Sequence, residues 1–108
     1  MEAFLLSGNK VYLTMQDIEI YKQQIQPVLK KYLIKHAAIF GSFAKNKATL
    51  ISDIDLLIEP AEDFTLFSLL QMEEELAEIT HRKVDIVEYS ALKDSIRQEV
   101  LQTAIRVL

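Results

Sequence analysis

Gly41 to Asp55 reads G-S-F-A-K-N-K-A-T-L-I-S-D-I-D, and the residues before it, Ala37, Ala38, Ile39 and Phe40, are apolar enough to form a buried strand. The Gly41-Ser42 pair is followed, after ten intervening residues, by two aspartates separated by one residue. In a strand successive side chains point to opposite faces, so Asp53 and Asp55 fall on one side while Ile54 and Leu56 fall on the other. Carboxylates held that close repel and raise each other's pKa, a costly arrangement unless a cation sits between them. A hard divalent ion, Mg²⁺ above all, meets that need: it takes one or two protein carboxylates and fills its other positions with water and substrate phosphate. Gly41 lets backbone come close to a ligand, free N–H groups at the start of the next turn favour an anion, and Ser42 adds a hydroxyl donor. A cradled triphosphate beside a metal is the layout of phosphoryl or nucleotidyl transfer, in which two ions can stabilise the attacking and leaving oxygens. Either half alone has an ordinary explanation in turn chemistry. Together they would arise by accident in roughly one chain of this length in a thousand.

Composition sets the outer limits. With 108 residues, half of them hydrophobic and only two glycines and two prolines, the chain has enough apolar material for one core and is not disordered. It is too small for a polymerase or for an enzyme with its own substrate domain, so it must borrow a partner or accept its substrate in an open cleft. There is no cysteine, which rules out disulfides, zinc-thiolate sites and thiol nucleophiles. No run approaches the roughly 18 apolar residues of a membrane span, and Met1 to Thr14 lacks a signal-peptide pattern. A soluble, cytoplasmic protein with no membrane partner is expected. The formal charge of -4 argues against general nucleic-acid binding, which needs a basic face.

Residues 1–14 read either as an extension whose Val11, Tyr12 and Leu13 form a short edge strand or as a leader, with the domain proper at 15–108. Thr14, with Asp17 three residues on, is a helix N-cap. Ile18, Tyr21, Ile25, Val28, Leu29 and Tyr32 then recur at helical spacing, interrupted by Pro27, which either kinks the helix or starts a second one. After the strand ending at Phe40, residues 43–46 should make a helical turn, 47–52 a loop over the phosphates, and 53–59 a second strand closed by Pro60. Asp63 is placed as the cap of the next helix, with Leu66, Leu69, Leu70, Leu76 and Ala77 inward and Glu73, Glu74, Glu75 and Glu78 as a solvated face or one that steers a basic partner. Val84 to Val87 is a third strand, in which a lone Asp85 is expensive to bury unless paired or metal-bound. Ser90 is placed as the cap of the last helix, with Leu92, Ile96, Val100 and Ala104 inward, before a short final strand. Elements alternating in this way predict an α/β domain with a small mixed sheet flanked by helices.

Ile39 to Glu59 resembles the signature of the minimal nucleotidyltransferases, the small single-domain branch of the DNA polymerase beta-like superfamily. Lys83 to Glu88, K-V-D-I-V-E, resembles the strand that carries that family's third metal-binding aspartate, here Asp85. The resemblance spans roughly Ile25 to Val107. It implies the polymerase beta-like nucleotidyltransferase fold, two Mg²⁺ ions held by Asp53, Asp55 and Asp85, and ATP phosphates at Gly41, Ser42 and Lys45. It also implies a partner, since such proteins are commonly antitoxins of HEPN-type ribonuclease toxins and place AMP on a toxin tyrosine. One departure stands out: Lys45-Asn46 replaces the family's Arg-Gly. Lys45 keeps the charge but loses the bidentate fork, whereas Asn46 can still adopt the left-handed conformation. Two alternatives are an antitoxin that neutralises purely by binding and a small-molecule nucleotidyltransferase with a separate substrate-binding subunit.

Overall fold

Thr14 and Asp17 close a capping box that starts the first helix: the Asp17 N–H donates to Thr14 Oγ1 at 3.1 Å and the Thr14 N–H to Asp17 Oδ2 at 2.9 Å. In the computed structural model, which describes residues 3–6 and 10–108, this helix, α1, runs Met15–Lys31. Ile18, Tyr21, Ile25 and Leu29 form its buried stripe, with Val28 and Tyr32 packed at the edge, as their spacing predicts. Pro27 removes one intrahelical donor, yet the helix continues through it as one element. Ahead of α1, strands β1 (Ala3–Leu6) and β2 (Lys10–Leu13) pair antiparallel. Residues 11–13 are in a strand, paired with β1 in a two-stranded sheet separate from the main one, while residues 1, 2 and 7–9 of that segment lie outside the described residues. Leu13 enters the core, and its N–H donates to the Ala48 carbonyl at 2.9 Å.

The main sheet contains β3 (His36–Phe40), β4 (Ile54–Glu59), β5 (Val84–Glu88) and β6 (Ile105–Arg106) in the order β5-β4-β3-β6. Only β4 and β5 are parallel, joined by the crossover helix α2 (Leu66–Thr80), so the sheet is mixed as expected. Strand alternation divides the labour of its two faces. Ala37, Ile39, Ile54, Leu56, Ile58 and Val84 join α1 and the Met72 and Leu76 of α2 in one apolar core. The other face carries cross-strand rows set by register: Phe40, Asp55 and Asp85 in one, and Arg106, Ala38, Leu57 and Val87 in the next.

Two helices depart from the sequence reading. Thr65, not Asp63, caps α2, accepting from the Ser68 N–H at 3.1 Å; Asp63 stands too early in the chain to reach the helix N–H groups. The buried stripe of α2 is Met72, Leu76 and Thr80, whereas Leu66 and Leu70 are 71% and 55% exposed and Ala77 is half-buried. This helix has apolar residues around much of its circumference, and periodicity alone does not say which stripe meets the sheet. The last helix, α3 (Asp94–Thr103), begins after Lys93, because Ser90 sits in a separate 3₁₀ turn at Tyr89–Ala91. Of its expected inward residues only Leu92, which precedes the helix, is buried; Ile96 is exposed and Val100 and Ala104 are half-buried. The helix packs lightly on the sheet. Glu74 and Glu78 are solvated as expected, but Glu75 accepts from Lys31 at 2.6 Å and from the Tyr32 hydroxyl at 3.1 Å, tying α2 to α1.

Arg82, in the link between α2 and β5, is 9% exposed. Its Nε donates to the Tyr21 hydroxyl at 2.8 Å, and its Nη1 donates to the carbonyls of Thr49 and Ser52 at 3.0 and 2.6 Å. The guanidinium also lies 5.1 and 5.3 Å from the ring centres of Tyr21 and Phe43, which meet edge to face. Arg82→Met keeps most of the stem and removes the guanidinium donor from the Tyr21 hydroxyl and from the carbonyls of Thr49 and Ser52. We expect it to lose about 2–4 kcal/mol in urea unfolding, and a loss below about 0.5 kcal/mol would contradict this role.

Candidate active site

Gly41 follows β3 with φ +73°, a left-handed conformation that glycine adopts without strain. Its bare Cα has a second cause. A Cβ built there would lie 2.2 Å from Asp55 Oδ2 and 3.1 Å from its carboxyl carbon, so the carboxylate packs directly against the turn. The sequence suggested that this glycine makes room for a phosphate; the neighbour that demands it here is Asp55. Residues 41–46 form the expected turn, with the Lys45 N–H donating to the Gly41 carbonyl at 3.1 Å and the Lys47 N–H to the Ser42 carbonyl at 2.9 Å. Asn46, at φ 58°, takes the left-handed conformation expected of it. Phe43 anchors the turn in the core.

Asp55 pairs in register with Asp85 on the adjacent parallel strand, and Asp53 precedes β4 by one residue. The backbone around Asp53 is held from both sides: Arg82 grips the Ser52 carbonyl, and the Lys83 carbonyl accepts the Ile54 N–H at 2.9 Å. Burial raises the Asp55 pKa above the usual carboxylate range, the charges of Asp85 and Asp53 push it the same way, and Lys83 opposes them. The Lys83 ammonium lies 3.5 Å from Asp85 Oδ1. All three expected carboxylates are thus brought together at one edge of the open face. Among the described residues, however, no three such groups are arranged to hold a metal ion as they stand. Lys45 points elsewhere, forming an exposed ion pair with Glu99 of α3 at 3.1 Å. His36 pairs with Glu59 at 3.9 Å, and His81 is the left-handed cap of α2; neither joins the carboxylates. A cavity of about 350 Å³ lies further along the strands, bounded by Ala38, Leu57, Tyr89 and Leu101.

Sequence reasoning missed Arg82 and Lys83. The signal was a basic pair between a helix and the strand carrying Asp85; the partners of Arg82 lie some 30 to 60 residues away in the chain, while Lys83 pairs with Asp85 two residues on.

Residues 23–108 match the family model described as polymerase beta, nucleotidyltransferase, and the chain belongs to that family. It is 36% identical to a Methanocaldococcus jannaschii protein named as a candidate protein adenylyltransferase, MJ0435, over 85% of this chain and 99% of that one. A solved structure of a candidate minimal nucleotidyltransferase superposes with a TM-score of 0.74 at 26% identity, covering 86% of this chain and 95% of that one. The same fold occurs in the complex of tri-AMPylated Shewanella oneidensis HEPN toxin with an MNT antitoxin, where the match has a TM-score of 0.64 at 17% identity, over 83% of this chain and 71% of that one.

The strain on Asp55 has a measurable consequence. Because its folded-state pKa is raised, the folded chain takes up a proton more readily than the unfolded chain. The penalty of the ionised group is absent in acid and sets in as pH rises through the range above the ordinary carboxylate pKa. In metal-free buffer at pH 7, Asp55→Asn should therefore melt a few degrees higher than the wild type, and the gap should close on acidification toward pH 4. A variant that melts lower at pH 7 would contradict this electrostatic reading.

Proposed function

We propose that this chain transfers AMP from ATP to a hydroxyl of a partner HEPN ribonuclease toxin and acts as its antitoxin. The observation that carries the reading is the acidic edge of the open face: Asp55 wedged against the Gly41 turn, in register with Asp85 and next to Asp53. The name of the M. jannaschii relative and the composition of the S. oneidensis complex support the activity and the partner.

The donor set fits a hard divalent cation. Three carboxylates lie within electrostatic reach of one another, and Asp55 is destabilised by burial and by its neighbours' charge, which an added cation relieves. In this reading Asp53, Asp55 and Asp85 would hold Mg²⁺, two ions being the expected number. The metal would supply charge neutralisation at the phosphates of ATP. The Gly41-Ser42 turn receives the β- and γ-phosphates on its N–H groups and the Ser42 hydroxyl. The acceptor hydroxyl forms its bond to the α-phosphorus as the bond to the bridging oxygen breaks. Its proton passes to Asp85, and pyrophosphate leaves. Lys45 reaches the phosphates only by releasing Glu99, so its part is a secondary one. Residues 15–108 constitute the minimal nucleotidyltransferase domain in this account, with 1–14 an extension attached through Leu13. Among the described residues no helix is long and apolar enough to cross a membrane, and a cytoplasmic setting agrees with the proposed partner.

The Lys45–Glu99 pair and the absence, among the described residues, of a ready-made three-ligand set favour one rival, an antitoxin that neutralises by binding alone. Intact mass separates the two. A HEPN toxin from the same genome, incubated with this protein, ATP and Mg²⁺, should gain one or more AMP units, and the gain should vanish with the Asp53→Asn/Asp55→Asn double variant. An unmodified toxin in a tight complex that forms equally well with the double variant would establish the rival.

A further inference from the structure

The three carboxylates occupy three corners of a rectangle, and Lys83 stands at the fourth. The parallel ladder sets Asp55 beside Asp85, and its first bond, from the Ile54 N–H to the Lys83 carbonyl at 2.9 Å, sets Lys83 beside Asp53. Ile54 and Val84, which come between these residues along their strands, are both buried in the core. Residues two apart in extended chain share a face, so Asp53, Asp55, Lys83 and Asp85 all stand on the open side. Their positions repeat at about 5 Å across the strands and about 7 Å along them. The positive corner leans on one neighbour: the Lys83 ammonium lies 3.5 Å from Asp85 Oδ1. It also opposes the burial and like charge that raise the Asp55 pKa. Lys83 has a second set of acidic neighbours, for it borders a hollow of about 290 Å³ whose walls include Glu73 and Glu74 of α2.

We propose that Lys83 is a built-in competitor of the divalent cation at this site: its ammonium holds Asp85 until the cation displaces it, and it then swings to the carboxylates of Glu73 and Glu74. The ammonium and the cation need the same carboxylate, and two positive charges cannot share it at close range without repulsion. A point charge on a flexible four-carbon stem suits both positions, where a planar guanidinium would be tied to one geometry. The pair with Asp85 is exposed at both ends, so solvent screens it and the cation breaks it at little cost. Lys83 therefore tunes the affinity of the site without blocking it. The same charge limits repulsion within the carboxylate set before a cation arrives. The inference rests on the cation site proposed above and adds the residue that sets its affinity.

The Lys83 side chain is exposed, so Lys83→Gln removes its charge without disturbing the core. The dissociation constant for Mg²⁺ alone would be obtained from the dependence of melting temperature on Mg²⁺ concentration, at fixed ionic strength and with neither nucleotide nor partner protein. The expected result is Mg²⁺ binding about threefold tighter in Lys83→Gln and within about twofold of wild type in Lys83→Arg, which keeps the charge. Glu73→Gln/Glu74→Gln should weaken binding about twofold or more, because the displaced ammonium loses its second position. Added to Lys83→Gln, the glutamate changes should have no further effect, since they act through Lys83. Mg²⁺ binding unchanged or weakened in Lys83→Gln would overturn the inference. A glutamate effect that persists in the triple variant would also overturn it, because those charges would then act on the cation directly. Melting that ignores Mg²⁺ in the wild type and in every variant is a different result, which would remove the proposed cation site and this competition with it.

Discussion

Arg82 holds together the parts of the molecule that sequence leaves far apart. Its guanidinium joins Tyr21 of α1, Phe43 of the Gly41 turn and the carbonyls of the 49–52 loop, and the next residue, Lys83, receives the N–H that starts β4. The loop that leads into Asp53 is thereby fixed at its exit, and the turn at Gly41 is fixed through its buried phenylalanine. A lysine could not replace this fork, because one ammonium on a flexible stem lacks the planar, multi-donor geometry that serves a hydroxyl and two carbonyls at once beside the two rings. The charge is buried, and carbonyl dipoles and aromatic faces compensate it.

The rest follows from the two-sided sheet. One face is covered by α1 and α2 and supplies the stability of a chain of 108 residues; the other is left to chemistry. Placing Asp55 at the edge of that second face, against Gly41 and in register with Asp85, concentrates like charge where partial burial makes it costly. The core absorbs that cost. Strained electrostatics of this kind agree with the cation-dependent site proposed above. The open face also suits the proposed transfer of AMP to another protein.

Much of this was legible in the sequence where the signal is local. The strand from Ile54 to Glu59 that carries Asp55, the Thr14-Asp17 cap and the strand at Asp85 are read within a few residues and are found, although Asp53 stands one residue ahead of its strand. The left-handed Asn46 is local too. What was not legible depends on distant contacts. Which stripe of α2 is buried depends on the sheet beneath it, and α3 exposes Ile96 because little of the molecule packs against it. Lys45 reads as a phosphate ligand from its place in the motif, but Glu99, more than 50 residues on, competes for it. Arg82 is invisible for the same reason, since its neighbours in sequence say nothing of Tyr21 or Ser52.

The central claim is that the acidic edge beside Gly41 exists to bind a nucleotide through a divalent cation. Isothermal titration of a non-hydrolysable ATP analogue into the wild-type protein, once with Mg²⁺ and once with a chelator, tests it most directly. The account predicts saturable binding with Mg²⁺ and an affinity weaker by about tenfold or more without it, because the triphosphate would then face three uncompensated carboxylates. Equal affinity under both conditions would contradict it.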